Sequence, residues 1–216
     1  MNDLKRCNIC NGVYPLHKHN FEECYSLDIP WDMLVIETDF GIFKEKHVID
    51  WFDCKGPFNN IEDESKWGNS IIQKYCNSKK YTCQWTTKLG EYVVKLLLIL
   101  NGNLPIKKQK HKGYDPDIET TDKLYEVKTR NYNTQGTAGE KILGVSKKYA
   151  EVPKLYKKDV VVVLCGYQEI EGRDKFKLFG GGCDVLIKML DFDKSMGFSY
   201  LECSELLKII TSKSLS

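Results

Sequence analysis

The sequence predicts an α/β protein in which helices flank a central mixed β-sheet, with a small N-terminal appendage. Three patterns lead to this prediction: helical periodicity in residues 88–100, alternation with period two in residues 125–129, and a run of four valines at 160–163. The chain has 216 residues, of which 42% are hydrophobic and 12% aromatic, which is enough for one sizeable core and a small appendage.

The first predicted helix of the core covers "KLGEYVVKLLLIL", residues 88–100. "NGN" at 101–103 is expected to end it, with Pro105 just beyond. Its apolar residues recur at helical spacing, and they are Leu89, Val93, Leu96, Leu97 and Leu100.

The next segment, "GYDPDIETTDKLYEVKTRNY" at 113–132, is interpreted as a short β-hairpin. Alternation in "YEVKT" puts Glu126 and Lys128 on one face of the second strand, and Tyr125 and Val127 on the other. A four-residue connection, Thr120 to Lys123, sets the register. The expected pairs are Glu119 with Leu124, Ile118 with Tyr125, and Asp117 with Glu126.

Four further elements complete the predicted core. "NYNTQGTAG" is interpreted as a loop, and a helix is expected from about Glu140 to Ala150. "VVVVLCG" at 160–166 is typical of a strand buried on both faces, which is common in parallel or mixed sheets. Residues 168–183 are interpreted as a hairpin region, and "SELLKII" near the end is interpreted as a closing helix.

Charge is distributed unevenly along the chain, whose formal net charge is +2. Residues 1–65 carry −7, residues 66–160 carry +10 and residues 161–216 carry −1. The shift near residue 65 predicts an acidic Cys/His-containing region at 1–65 and a core domain at 66–216. The basic block suits a polyanionic partner, although an ordinary lysine-rich surface is the alternative.

Two sequence features bear on the compartment. The chain contains no 18-residue apolar run, so no membrane association is predicted. The N-terminus, "MNDLKRCNIC", lacks the blocks of a signal peptide, and nine cysteines without such a signal argue against a disulfide framework. A cytoplasmic protein with reduced cysteines is therefore expected.

The predicted hairpin raises a question of electrostatics. Like charges placed opposite each other across two strands destabilise the pair, so the repulsion between Asp117 and Glu126 should be offset. Two such carboxylates can share one Mg²⁺, which binds one or two carboxylates and keeps several waters. Lys128 could then hold a metal-bound water or help to deprotonate it. The alternative is that both acids point into water.

At these residues the sequence resembles a known family. "PD" at 116–117, eight intervening residues and "EVK" at 126–128 are similar to the signature of the PD-(D/E)XK nuclease superfamily. The placement of the following loop is most like that of a type II restriction endonuclease, and the resemblance covers roughly residues 88–167. It implies a restriction-endonuclease-like core: a mixed sheet flanked by helices.

The resemblance also implies an activity. The chain would be a metal-dependent endonuclease that hydrolyses phosphodiester bonds in double-stranded DNA at specific sequences, as part of a restriction system. Asp117, Glu126 and the carbonyl of Val127 would bind Mg²⁺, with help from Glu91 in the preceding helix. Lys128 would orient the attacking water. Glu91 has an alternative explanation, since acids in the first turn of a helix are favoured by its dipole.

Further expectations concern the partners. Arg130 continues the face of Glu126 and Lys128 and is a candidate phosphate contact, as is Lys141 in "GTAGEK". Glu119 is expected to be solvated or close to DNA. Base readout is assigned to the 131–138 loop or to the 168–183 region. A homodimer is expected because a two-fold protein matches a symmetric duplex site, and the protein would act wherever intracellular DNA is held.

The N-terminal sequence "CNICNGVYPLHKHNFEEC" suggests a structural zinc site. Cys7 and Cys10 form a C-x₂-C pair, and His19 with Cys24 is the first choice for the second pair. Zinc would fold an appendage that has little core of its own. The alternatives for the second pair are His17 in place of His19, and Cys76 with Cys83.

Two other functions fit parts of the same sequence. A DNA repair nuclease or junction resolvase would use the same acids and lysine. A zinc-containing DNA-binding module without catalysis would account equally well for the basic block at 66–160.

Overall fold

A computed structural model provides the structure of this chain. The elements of the core lie in the second half of the chain, and the N-terminal half contributes short strands and helical stretches. The residues that the structure describes are 4–6, 13–15, 35–38, 41–44, 60–66, 90–91, 93–95, 97–98, 101–103, 105–130, 139 and 141–206.

Eight strands and four helices are numbered among the described elements. The strands are β1 (Leu4–Arg6), β2 (Val13–Pro15), β3 (Val35–Thr38), β4 (Gly41–Lys44), β5 (Ile118–Glu119), β6 (Lys123–Lys128), β7 (Asp159–Leu164) and β8 (Phe198–Glu202). The helices are α1 (Val145–Lys148), α2 (Val152–Tyr156), α3 (Tyr167–Asp174) and α4 (Asp184–Ser195). Further helical stretches cover residues 61–66, 90–91, 93–95, 97–98, 141–143 and 203–206.

The central sheet has four strands in the order β5-β6-β7-β8. β5 pairs with β6 antiparallel, whereas β6 with β7 and β7 with β8 are parallel. Parallel neighbours need crossover connections, and here α1 and α2 lie between β6 and β7 while α3 and α4 lie between β7 and β8. The prediction of an α/β fold with a mixed sheet flanked by helices is confirmed at this level.

The hairpin has the predicted register. Ile118 pairs with Tyr125, and Glu119 pairs with Leu124. The amide of Thr120 donates to the carbonyl oxygen of Lys123 at 2.9 Å, which closes the four-residue connection. The same register brings Asp117, the residue before β5, alongside Glu126.

The valine run forms the buried strand that the sequence predicts. In β7 every residue from Val160 to Leu164 is buried, although the neighbouring side chains point to opposite faces. Each fully buried valine contributes about 1.5–3 kcal/mol through its removal from water. One buried cluster connects this strand with the helices, and its members are Tyr114, Leu124, Ile142, Val145, Val152, Val160, Val162, Leu164, Leu178 and Phe198.

The predicted stop after the long helix is confirmed. Asn101 donates to Leu97 through both its amide and its side chain, at 3.0 Å each. Gly102 has φ of +83°, a left-handed conformation that glycine adopts without steric cost and that commonly ends helices. Val93 and Leu97, two of the residues that form the apolar periodicity, are fully buried.

Two predicted elements differ from the structure. The helix expected from Glu140 to Ala150 is interrupted by a turn at Gly144, a residue of low helix propensity. The hairpin expected at 168–183 is wrong, because α3 occupies the region up to Asp174 and residues 175–183 form no strand. Gly172 allows close packing of α3 on β7, since a Cβ there would lie 2.5 Å from Cδ1 of Leu164.

The N-terminal half contributes two small antiparallel pairs, β1 with β2 and β3 with β4. The predicted boundary after residue 65 falls within the helical residues 61–66. In that stretch Glu64 is buried, and its Oε1 accepts a hydrogen bond of 3.2 Å from the amide of Tyr167 at the start of α3. Within the described part of the chain, no helix has the length and apolar character needed to span a membrane.

Candidate active site

Asp117 is held by the backbone of the adjacent strand. It precedes β5, is partly buried, and its Oδ2 accepts a hydrogen bond of 2.7 Å from the amide of Val127 on β6. The amide and carbonyl of one residue in a strand point towards the same neighbour. The carbonyl of Val127 is therefore directed to the side of the strand on which Asp117 lies.

Glu126 and Lys128 lie on one face of β6, as predicted. Lys128 Nζ contacts Glu126 Oε1 at 2.6 Å, and the two side chains are 23% and 9% exposed. The alternative in which the acids simply point into water does not describe this site, because water reaches Glu126 poorly. Its charge is instead balanced within the protein by Lys128.

An aromatic cluster covers the other carboxylate oxygen of Glu126. Tyr114 Oη donates to Glu126 Oε2 at 3.3 Å, and the Tyr114 ring packs against Tyr149 and Tyr156 with centroid distances of 4.5 and 5.9 Å. Burial first, and then the negative charge of Glu126, raise the pKa of the Tyr114 phenol well above its ordinary value. Tyr114 therefore stays protonated and acts as a donor to Glu126.

Burial, together with the charge of Glu126, changes the protonation of Asp117. Burial is the largest cause that raises the pKa of Asp117, followed by the charge of Glu126, and the result is about 7 in place of 3.8. The Val127 amide and the charge of Lys128 act in the opposite direction. Without a further cation, the pair therefore tends to keep one proton near neutral pH.

Glu91 acts on the same site from the preceding helix. Its charge is the last and smallest of the causes that raise the pKa of Asp117. Among the described residues, no group of three or more His, Cys, Asp or Glu side chains is arranged to hold a metal ion. Asp117, Glu126 and the Val127 carbonyl are the oxygen donors brought together at β6, and the role of Glu91 as a further metal ligand stays a prediction.

These groups are all oxygen donors, which is the ligand type that Mg²⁺ prefers. Mg²⁺ commonly takes one or two carboxylates and completes its octahedron with water. A cation between Asp117 and Glu126 would also remove the repulsion that raises the pKa of Asp117. The donor set therefore fits Mg²⁺ on chemical grounds.

Arg130 is positioned differently from the expectation. It is 4% exposed, and its Nε lies 2.7 Å from Glu171 Oε2 on α3. A guanidinium buried in this way connects the end of β6 to α3 and is not presented to a phosphate at the surface. The predicted phosphate contact of Arg130 is therefore set aside.

Glu119 is likewise not a solvated acid. It is 3% exposed, and its Oε1 lies 2.8 Å from Lys158 Nζ. Its Oε2 accepts a hydrogen bond of 2.8 Å from the amide of Gln109. Lys158 Nζ also donates to the carbonyl of Thr120 at 2.7 Å, so this ion pair fixes the turn of the hairpin to the chain just before β7.

The structure adds two residues to the site that the sequence patterns did not indicate. Tyr114 is one, although it lies only three residues before Asp117. Lys148, at the end of α1, is the other: its hydrogen bond with Tyr149 and the charge of Glu126 raise its pKa. Lys148 is exposed, so its ammonium group lies at the rim of the site. Lys141 is exposed as well.

Several expected residues lie outside the described part of the chain. They include the proposed zinc ligands Cys7, Cys10, His19 and Cys24, together with the 131–138 loop. Cys7 and Cys10 fall in the connection between β1 and β2, and their role as ligands stays a prediction.

Comparison with known proteins found no relative of this chain. No protein-family model matches the chain, and neither the curated proteins nor the solved structures contain a match.

The raised pKa of Asp117 predicts a pH effect on stability. Without divalent metal, the folded state keeps a proton on Asp117 between pH 4 and 7 that the unfolded state has lost. The free energy of unfolding should therefore fall as pH rises through this window, by at most a few kcal/mol. Asp117→Asn should reduce this slope, measured by urea unfolding in EDTA.

Asp174→Asn is the matched control, because Asp174 is exposed on α3. Burial also raises the pKa of Glu169, so Glu169 adds the same pH dependence to the unfolding free energy of both variants. An unchanged slope in Asp117→Asn would show that Asp117 is ionised in the folded protein at pH 5–6.

The burial of Arg130 predicts a loss of stability on its removal. Arg130→Met leaves Glu171 without its cation and should lower the free energy of unfolding by about 3 kcal/mol. The double variant Arg130→Met/Glu171→Gln should recover part of this loss. A surface phosphate contact would behave differently, since Arg130→Met would then retain wild-type stability and lose only DNA affinity.

Proposed function

We propose that this protein is a Mg²⁺-dependent endodeoxyribonuclease that hydrolyses phosphodiester bonds in double-stranded DNA. Its core would be of the PD-(D/E)XK type, and its biological role would be most like that of a type II restriction endonuclease. The observation that carries the proposal is the opposition of two poorly solvated carboxylates, Asp117 and Glu126, with Lys128 beside them.

Each site residue receives a role from its position. Asp117 and Glu126 would hold the metal, and the Val127 carbonyl is directed to the same side of β6. Bound Mg²⁺ supplies a Lewis acid that neutralises phosphoryl charge and lowers the pKa of its water. Lys128 Nζ, which lies 2.6 Å from Glu126 Oε1, would orient the attacking water.

The chemical step would be an in-line displacement at phosphorus. The attacking water would give up a proton to solvent as its oxygen forms the new bond to phosphorus. The bond from phosphorus to the 3′ oxygen would break, and the 3′ oxygen would take a proton from solvent. The products would be a 5′-phosphate and a 3′-hydroxyl, as the family resemblance implies. Tyr114 keeps the Glu126 carboxylate in place during this step through its hydrogen bond.

The charge around the site supports a polyanionic substrate. The segment before the hairpin carries four exposed lysines, Lys107, Lys108, Lys110 and Lys112. This segment is connected to β5 by a hydrogen bond from the Ile106 amide to the Glu119 carbonyl. Asp115 pairs with Lys108 and Lys110 at 3.3 and 2.7 Å and so offsets only part of this charge. Lysines contact phosphates and strengthen binding to DNA of any sequence.

Three finer proposals accompany this function. The protein would work as a homodimer, because two active sites related by a two-fold axis match the two strands of a symmetric site. The N-terminal region would bind a structural Zn²⁺ through Cys7, Cys10, His19 and Cys24. The protein would act in the cytoplasm, or wherever the cell holds DNA.

DNA cleavage tests the proposal. With Mg²⁺ and duplex DNA of mixed sequence, the wild-type protein should cut the duplex. Lys128→Ala and Asp117→Ala should reduce the rate by about 100-fold or more. Lys154→Ala, an exposed lysine of α2, is the matched control and should cut at the wild-type rate.

The pattern of products distinguishes the related functions. Discrete fragments from a natural DNA would support restriction, whereas nicking that depends on DNA structure would support a repair nuclease or junction resolvase. No cleavage of any duplex by the wild type, or full activity in Lys128→Ala, would contradict the mechanism.

A binding measurement separates the nuclease from a non-catalytic module. Ca²⁺ neutralises the acids, so a nuclease should bind duplex DNA more tightly in Ca²⁺ than in EDTA. Above pH 7, where Asp117 is ionised, Asp117→Asn should also tighten binding in EDTA. A zinc-containing binding module would show the same affinity under all three conditions.

A further inference from the structure

Lys148 is a cation at the rim of the site to which the proposed function assigns no role. It is the last residue of α1, and its side chain is exposed. No carboxylate within the described part of the chain forms an ion pair with it, whereas Lys128 and Lys158 are both paired with buried acids. Its ammonium group therefore keeps the capacity to bind an anion from outside the chain.

Tyr149 keeps this ammonium group in a defined place. Lys148 Nζ lies 4.8 Å from the centroid of the Tyr149 ring, within the range in which an aromatic face attracts a cation. The hydrogen bond from Lys148 to Tyr149 and, in smaller part, the charge of Glu126 raise the pKa of Lys148. Lys148 is therefore held beside Tyr149 and stays charged at neutral pH.

The Tyr149 ring connects Lys148 to the candidate site. It packs against Tyr114 at a centroid distance of 4.5 Å, and Tyr114 Oη donates to Glu126 Oε2 at 3.3 Å. The other oxygen of the same carboxylate, Oε1, lies 2.6 Å from Lys128 Nζ. Lys128 thus lies at one oxygen of Glu126, and Lys148 lies behind the two tyrosines that cover the other.

The charge that the proposed reaction develops leaves room for a second cation. The carboxylates of Asp117 and Glu126 are balanced by the Mg²⁺ that they would hold, and Lys128 balances the single negative charge of a phosphodiester. Attack by a water that has lost its proton adds a second negative charge to the phosphoryl group in the transition state. Lys148 is a cation beside the site that could balance this added charge.

The position of Lys148 at the end of a helix does not explain its contacts. Lysines in the last turn of a helix interact favourably with the helix dipole. Lys147 lies in the same last turn and is exposed as well. The dipole therefore accounts for both lysines, but it does not account for the contact between Lys148 and the tyrosine pair that covers Glu126.

We propose that Lys148 binds the phosphodiester that is cleaved, from the Oε2 side of Glu126, and stabilises the negative charge that develops on it. This inference rests on the proposed nuclease function and adds a catalytic residue to it. Tyr149 is then a positioning residue, which fixes the ammonium group of Lys148 through its ring and its hydroxyl group.

Single-turnover cleavage of duplex DNA tests this role. With Mg²⁺ and saturating protein, Lys148→Ala should reduce the cleavage rate about tenfold or more, because it removes a charge that acts in the transition state. Lys148→Arg keeps the charge and should recover part of this loss. Lys147→Ala is the matched control, since it removes an exposed lysine from the same turn and should leave the rate unchanged.

DNA binding in Ca²⁺ separates a catalytic contact from a general one. A lysine that contacts only a flanking phosphate lowers the affinity for every duplex and leaves the rate at saturation unchanged. For Lys148→Ala we expect the opposite pattern, in which the affinity in Ca²⁺ falls less than the cleavage rate.

Tyr149→Phe tests the positioning role, because it removes the hydroxyl group and keeps the ring that packs against Tyr114. It should reduce the cleavage rate of the wild type but have no further effect on Lys148→Ala, since the two residues act through one ammonium group. Equal effects in the two backgrounds would show that Tyr149 acts independently of Lys148 and would contradict its positioning role.

The outcomes distinguish this inference from the proposed function. A wild-type protein that cuts no duplex would contradict both. If the wild type cuts and Lys148→Ala cuts at the same rate, the role of Lys148 is overturned and the proposed function stands. Equal losses in Lys148→Ala and Lys147→Ala, or a loss of affinity without a loss of rate, would overturn it as well. Both lysines are exposed, so the variants should fold, which circular dichroism verifies.

Discussion

The opposition of Asp117 and Glu126 across the β5–β6 hairpin is the constraint on which the candidate site depends. Both acids are poorly solvated, so ionising both costs free energy. Burial, followed by the charge of Glu126, therefore raises the pKa of Asp117 to about 7. The Val127 amide holds Asp117, and Tyr114 and Lys128 hold Glu126. Protein groups thus hold both acids in place, and a cation would complete their charge balance.

The sheet makes this opposition rigid. β6 lies between β5 and β7, so a shift of one residue in its register would break pairing on both sides. Two buried ion pairs hold the hairpin at its ends: Glu119 with Lys158 near the turn, and Arg130 with Glu171 after β6. Removing one member of either pair would leave a charge without its partner in a poorly solvated place.

The parts of the structure that could be predicted from sequence are those that local patterns determine. Alternation around Glu126 and the four-residue connection were sufficient for the register of the hairpin, and the valine run was sufficient for β7. Glu119 and Arg130 could not be placed in this way, because their partners come from distant segments. Lys158, for example, lies 39 residues after Glu119.

The same distinction applies to the site itself. Asp117, Glu126 and Lys128 belong to one hairpin, so spacing alone brings them together. Lys148 reaches the rim of the site only because α1 follows the sheet in the crossover to β7. No pattern near the acids indicates it.

A crystal of the protein grown with Mn²⁺ in place of Mg²⁺ tests the central claim most directly, through its anomalous difference map. The account predicts a peak between the carboxylates of Asp117 and Glu126, within about 2.0–2.3 Å of one oxygen of each and of the Val127 carbonyl. Lys128 Nζ should then have left Glu126. A map without a peak at these residues, with Lys128 still paired to Glu126, would contradict it.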